Sequence, residues 1–172
     1  MKTNKTAEFK EISPYETENA LKLIGKDWML ITAKDQDGAN AMTASWGAMG
    51  VLWNKPVAIC FIRPQRYTFE LAEKQERLSL AFFDEAYKGA LNICGTRSGR
   101  DCDKLALAEL TTSEYGNVPI INEARLVLVC RKLYVDRLDE KGFCDSSLLN
   151  FYKDKDYHAV YVLEIEKALI KQ

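Results

Sequence analysis

Residues 28–45 read Trp28-Met29-Leu30-Ile31-Thr32-Ala33-Lys34-Asp35-Gln36-Asp37-Gly38-Ala39-Asn40-Ala41-Met42-Thr43-Ala44-Ser45. A strand over 28–33, a turn at Asp35-Gln36-Asp37-Gly38 and a returning strand over 39–45 make this a β-hairpin. Reading outward, the same grammar recurs. Trp53-Asn54-Lys55-Pro56 is a second turn signal, followed by a buried-type strand over 57–63 that breaks at Pro64. Further strands are predicted over 78–83, 126–138 and 158–165, the last two rich in Val, Leu and Tyr. Helices are few and short. One spans 16–24, closed by Gly25. A second is capped by Thr68 and runs to about residue 75, with Phe69, Leu71 and Ala72 on its apolar side. A third covers 84–94, where Tyr87, Leu91 and Cys94 recur at helical spacing and Gly95 ends it. A fourth covers 103–110. Strands dominate without regular strand–helix alternation, which favours a mainly β, antiparallel barrel with peripheral helices over a doubly wound sheet.

The 172 residues contain no internal repeat, low-complexity tract or Pro/Gly-rich linker, so one domain over 1–172 is expected. Hydrophobic residues at 47% and charged residues at 28% are ordinary for a soluble globular protein. The longest apolar runs, at 126–130 and 159–163, fall far short of the roughly 20 residues of a membrane-spanning helix. With 24 basic and 25 acidic residues the net charge is −1, which argues against a general nucleic-acid binder. The polar start of the chain lacks the apolar core of an export signal. A cytoplasmic location is therefore expected, and the Asn4-Lys5-Thr6 glycosylation tripeptide reads as a chance match. Cys60, Cys94, Cys102, Cys130 and Cys144 are odd in number and hold no C-x-x-C pair, so they read as reduced thiols. Cys94 is expected to be buried on its helix and Cys102 more exposed.

Several common sites are absent. No G-x-G-x-x-G opens a helix, and no G-x-x-x-x-G-K-[ST] phosphate loop exists. The single histidine, His158, rules out a multi-histidine metal site within one chain and reads as a strand-end residue near the surface. Asp101-Cys102-Asp103 reads as the acidic start of a helix, since neighbouring residues on a helix diverge and cannot converge on one ion.

Three segments carry chemistry. In Asn40-Ala41-Met42-Thr43-Ala44-Ser45-Trp46-Gly47, small side chains let a flat ligand reach the backbone, although an alternating strand before a tight turn looks the same. Arg63-Pro64-Gln65-Arg66-Tyr67-Thr68 sets two arginine forks and two hydroxyls before a helix N-terminus; this suits a phosphate, or equally a solvated basic turn with a cap. In Gly95-Thr96-Arg97-Ser98-Gly99-Arg100-Asp101-Cys102-Asp103-Lys104, a helix beginning near Gly99 would put Arg100 and Lys104 on one face. An exposed loop entering a helix reads as well.

Taken in order, the motifs MTASWG (42–47), RxxRYTxE (63–70) and CGxxSGRDxDK (94–104), with the closing His-x-x-Tyr-x-x-Glu of 158–164, resemble the flavin reductase-like, FMN-binding split-barrel family, flavoredoxin-like proteins included. The resemblance covers about residues 28–165. It implies a Greek-key split β-barrel that pairs into a homodimer, with FMN at or near the subunit interface. It also implies that Met42, Thr43, Ala44 and Ser45 lie along the isoalloxazine edge, with Trp46 nearby. Arg63, Arg66, Tyr67 and Thr68 would then surround the phosphate and ribityl end, with Ser98, Arg100 and Lys104 completing the phosphate side. The chain departs from the family at Ala81, where relatives often carry asparagine, and at Leu105, where they tend to carry phenylalanine. The implied function is an FMN-dependent oxidoreductase, either an NAD(P)H:flavin reductase or a flavoredoxin-like electron carrier served by NADH, NADPH or a redox protein. A flavin-binding or storage protein without reductase activity is the alternative. No residue is assigned as a catalytic acid or base, because the flavin carries the chemistry.

Overall fold

The computed structural model describes residues 8–172, and the Asn4-Lys5-Thr6 tripeptide lies outside them. Among the described residues the chain begins with β1 (Phe9–Ile12), followed by the β2 (Met29–Asp35) and β3 (Gly38–Ala44) hairpin and by β4 (Gly47–Leu52) and β5 (Lys55–Ile62). Helix α1 (Tyr67–Lys74) leads to β6 (Arg77–Phe82), then to α2 (Lys88–Thr96) and the single turn α3 (Lys104–Leu107). A small hairpin, β7 (Thr112–Tyr115) and β8 (Val118–Ile121), precedes the long strands β9 (Leu126–Arg137) and β10 (Ala159–Lys171).

The main sheet runs β3-β2-β6-β9-β10-β5-β4, with β1 added against the far end of β10, and all its pairings are antiparallel. The β9–β10 pair sits between β5 and β6, so the connection through α1 crosses over it, which is a Greek-key arrangement. β3 and β4 are the two ends of the path, yet only Ser45 and Trp46 separate them in the chain. The sheet therefore curls until its ends approach there, and they stay unpaired beyond. This is the expected split barrel.

Period-two patterning fills the barrel. Met29, Ile31, Ala33, Leu78, Leu80, Phe82, Leu126, Leu128, Cys130, Tyr161 and Leu163 point inward and belong to one buried cluster. Irregular pairing between Ile165 and Lys167 changes the parity of β10, so that Ala168 faces the same interior. Alternate residues of the same strands, Leu30, Ala41, Ala81, Val127 and Val129, form the outer face. That face is covered by Leu91 and Cys94 of α2, Leu105 of α3, and Val118, Ile120 and Ile121 of β8. The two departures noted above, Ala81 and Leu105, both lie in this layer.

Several boundaries differ from the sequence reading. The expected helix over 16–24 is instead a 3-10 turn at Pro14–Glu16 and a π-helical stretch at Lys22–Asp27. Ser13 and Glu16 form a capping box that starts the turn early, and the Thr17 hydroxyl donates back to the Pro14 carbonyl at 3.0 Å. Gly25 lies inside the helical stretch; the reversal falls on Trp28, at φ 65°, beneath the Lys88 ammonium 3.8 Å from its ring centroid. Thr68 does not cap α1: Arg66 occupies the N-cap, without a side-chain bond to the helix. Gly95 lies within α2, which continues to Thr96. Residues 98–102 form turns rather than a helix; Asp103 caps α3, its carboxylate accepting from the Ala106 amide at 3.0 Å. Strands β1, β4, β7 and β8 have no counterpart in the sequence reading. No helix among the described residues is long and apolar enough to cross a membrane.

Candidate functional site

β3 is an edge strand, paired only with β2, so alternate backbone groups along Met42-Thr43-Ala44 face away from the sheet. Met42 and Ala44 point into the barrel, while Thr43 points out and donates its hydroxyl to the Leu91 carbonyl of α2. Ser45 and Trp46, both exposed, then cross to β4. A side chain at position 47 would clash at once, because a Cβ there would lie 2.7 Å from the Ile59 carbonyl oxygen.

The second segment reaches this edge because β5 ends at Ile62 and the chain reverses through a turn closed by the Arg66 amide on the Arg63 carbonyl, 3.0 Å. The two arginines then part company. Arg63 donates to the Asp156 carboxylate and to the Phe151 carbonyl, the latter at 2.9 Å. Arg66 is half-buried, has no carboxylate partner among the described residues, and donates to the Gly95 and Cys94 carbonyls at 2.8 and 3.2 Å. Burial lowers its pKa. Thr68 is buried, and its hydroxyl accepts from Asn40 Nδ2 at 2.8 Å, which ties the start of α1 to β3.

The third segment folds back on the other two. A Cβ on Gly99 would stand 2.2 Å from Asn40 Oδ1 and 2.9 Å from Tyr67 Cδ1, so the loop's backbone passes directly over both. Lys104 is only 3% exposed; its ammonium donates to the Cys94 and Arg97 carbonyls at 3.2 and 3.4 Å. Burial and the nearby Arg66 bring its pKa down to about 8. Arg66 and Lys104 thus cover the free carbonyls at the C-terminus of α2, where the helix dipole favours cations. Arg100 does not share a helix face with Lys104. It lies exposed, pairs with Glu70, donates to the Gln65 carbonyl at 3.1 Å and sits over the Tyr67 ring at 5.3 Å. Ser98 is turned inward on its own loop, its hydroxyl accepting from the Arg100 amide at 3.2 Å.

Two hollows adjoin this junction. One, of about 280 Å³, is lined by Met42, Thr43, Ala44, Ser45, Trp46, Arg63 and Arg66, together with Phe61 and His158. The other, of about 590 Å³, lies on the Asn40, Tyr67, Gly99 and Lys104 side, but its wall also carries Asp35, Asp37 and Asp103. The first contains most of the expected residues; the carboxylates of the second oppose an anionic guest. Phe61 and His158 are additions to the sequence reading. His158 is buried at 7% exposure, not a surface strand end; its Nδ1 lies 2.9 Å from the Tyr152 hydroxyl, and its ring stands 5.4 Å from that of Trp46. Burial, with Arg63 close by, lowers its pKa to about 4. The signal that could have located it is its place at the head of the closing strand motif. Cys94 is buried as expected, and Cys102 is intermediate.

Known proteins match this fold. A domain of flavin reductases-like enzyme from Shewanella baltica OS155, described as FMN-binding, superposes with a TM-score of 0.69 at 16% identity, covering 96% of this chain and 78% of that one. The flavoredoxin of Methanosarcina acetivorans gives 0.65 at 25% identity, over 85% and 69%. Nitrilotriacetate monooxygenase component B from Bacillus cereus gives 0.67 at 19% identity, over 94% and 81%. No curated protein matches the chain by sequence. The family model described as "Flavin reductase like domain" matches residues 21–171, which takes in every strand except β1, all three motif segments and the cleft, and the chain belongs to that family.

Proposed function

We propose that this protein binds FMN at the junction of its three motif segments and serves as an FMN-dependent oxidoreductase. The observation that carries this reading is the pair Arg66 and Lys104: one half-buried and one buried cation, without carboxylate partners among the described residues, held side by side at one carbonyl. A buried charge that lacks a counter-ion is costly, and a phosphate would relieve both at once. The donor set fits the cofactor in two further respects. The N-terminus of α1 has no side-chain cap; the Phe69 amide turns back onto the Arg66 carbonyl at 2.9 Å, which leaves the Tyr67 and Thr68 amides for an anion. The open edge of β3 offers backbone donors and acceptors, with small side chains at Thr43, Ala44 and Ser45, to the rim of a flat heteroaromatic ring.

On this reading Arg66 and Lys104 hold the phosphate, with Tyr67, Thr68 and Ser98 near it. Arg100, exposed and paired with Glu70, contributes through its position over the Tyr67 ring. Met42 to Trp46 line the ring system. A cleft of about 280 Å³ is small for a small-molecule site, so it would enclose the cofactor only in part, with the phosphate at its Arg66 end, where Lys104 reaches the same Cys94 carbonyl. When bound, FMN supplies hydride acceptance and one- or two-electron release. NADH, NADPH or a redox protein would be the donor. We also propose a homodimer, supported by the exposed Val51, Leu52 and Trp53 at the far end of the edge strand β4.

The test is anaerobic reduction of the FMN-loaded protein by NADH or NADPH, followed by absorbance near the flavin maximum. Bleaching with a rate constant of several per second or faster, on the order of ordinary enzyme rates, supports a reductase. FMN that stays bound but is not reduced by either nucleotide would leave a storage protein or a carrier fed by a redox protein.

A further inference from the structure

The chain between β9 and β10 folds as two 3-10 turns, Glu140–Gly142 and Ser146–Tyr152, and packs its own rings together. Tyr152 stacks on Tyr157 at 5.0 Å between centroids, with Phe143 beside Tyr152 at 5.6 Å. Arg63 fastens this segment to the barrel. Its guanidinium donates to Asp156 and to the Phe151 carbonyl and lies 5.1 Å from the centre of the Tyr152 ring. Gln65 Nε2 donates to the same Asp156 oxygen at 2.6 Å. Arg63 therefore spends its fork on the segment, whereas Arg66 spends its own on the end of α2.

The fastened segment supplies one wall of the cleft. The Phe151 ring meets Trp46 edge-on at 5.4 Å, and His158, bonded to Tyr152, stands 5.4 Å from Trp46 and 6.3 Å from Phe61. Trp46 at 44% and Phe151 at 54% exposure present aromatic surface that no group among the described residues covers. Edge-to-face and tilted rings of this kind accept another flat ring readily.

We infer that Arg63 is a positioning residue: it latches the 139–157 segment through Asp156 and Phe151, so that Trp46, Phe151 and His158 form an aromatic wall receiving the flat heteroaromatic ring of a nicotinamide-class reactant. The reactant's identity rests on the FMN reading above; the latch does not. A phosphate arm must meet the cofactor directly, but a latch acts through the wall.

Three variants separate the two roles: Arg63→Met, Asp156→Asn and Arg66→Met. Amide hydrogen exchange over residues 144–157 is measured on flavin-free protein, FMN affinity by flavin fluorescence, and KM and kcat with whichever nicotinamide nucleotide reduces the wild type. Arg63→Met and Asp156→Asn should each speed exchange in the segment by about tenfold or more, as expected for a locally loosened unit. Both should raise KM for the nucleotide by about tenfold with kcat within about twofold, and leave the FMN Kd within about threefold. Arg66→Met should weaken FMN and leave exchange in the segment unchanged. The inference is overturned if Arg63→Met weakens FMN as Arg66→Met does while Asp156→Asn, which frees the guanidinium, tightens it or leaves it unchanged. It is equally overturned if neither latch variant alters exchange. If the wild type takes no FMN, the functional reading and the reactant fall together, and exchange alone decides the latch.

Discussion

The Arg66 guanidinium and the Lys104 ammonium donate to the same atom, the carbonyl oxygen of Cys94, each at 3.2 Å. One comes from the turn after β5 and the other from the first turn of α3, so a single helix terminus gathers two cations that are 38 residues apart in the sequence. Like charges this close oppose one another, and neither has a carboxylate partner among the described residues, so the arrangement is costly and an anion would relieve it. Replacing either residue by methionine should therefore weaken FMN by about 1.5–3 kcal/mol, the usual value of a charged hydrogen bond. The double variant should lose less than the sum, because each substitution also relieves its neighbour. Fluorescence titration gives the affinities. Thermal denaturation of the flavin-free variants separates this loss from the structural cost of uncovering the α2 carbonyls.

The depressed Lys104 pKa gives the binding a pH dependence. Only the ammonium attracts phosphate, so FMN affinity should fall as pH rises above about 8, by up to about tenfold per pH unit. Lys104→Met should remove that slope. In the flavin-free protein the sign reverses. The folded pKa lies below the reference 10.5, so between about 8 and 10.5 the unfolded chain holds more protons and stability from this group rises with pH.

His158 should shape the acid limb. Its folded pKa of about 4 lies below the reference 6.5, so the stability it contributes is fully present above 6.5 and is lost as pH falls through 4. A depression of this size corresponds to roughly 3 kcal/mol. Urea denaturation at pH 7 and pH 4.5 should show a smaller difference for His158→Gln than for the wild type. Equal differences would mean that the imidazole titrates normally.

Position 47 tolerates no side chain. A Cβ would approach the Ile59 backbone oxygen to 2.7 Å, and a strand backbone gives way less readily than the end of a flexible side chain. Gly47→Ala should cost about 1–3 kcal/mol, the usual range for overpacking, and lower the melting temperature by several degrees. Gly50→Ala, three residues along the same strand with nothing within 4 Å of its Cβ, is the matched control and should change little.

What the sequence revealed followed the strength of its local signals. The β2–β3 hairpin, β5, β6 and β9 carry apolar runs bounded by Gly, Pro, Asn or Asp, and all form as expected. β4 escaped because Gly47-Ala48-Met49-Gly50 has neither polar alternation nor β-branched residues; it becomes a strand through pairing with β5 and through the I′-like turn at Trp53 and Asn54, both at positive φ. β10 outran its expected end because pairing with β9 and β1 carries it to Lys171 past an irregularity that resets its alternation. At the site, adjacency of the three segments was legible as motif order. The different anchoring of Arg63 and Arg66 was not, since it depends on Asp156 and on the end of α2, both distant in sequence. His158 was misjudged for a similar reason: its burial comes from Tyr152, Trp46 and Phe61, none of them its immediate neighbours.

The central claim is that Arg66 and Lys104 hold a phosphate beside a flavin ring read by β3, and comparing FMN with riboflavin tests it most directly. The two ligands differ only in that phosphate. Equilibrium titration of the wild-type protein should give FMN an affinity at least about tenfold above that of riboflavin, with the gap closing in the Arg66→Met, Lys104→Met double variant. Equal affinities for the two flavins in the wild type, or a preference for FMN that survives the double variant, would contradict the claim.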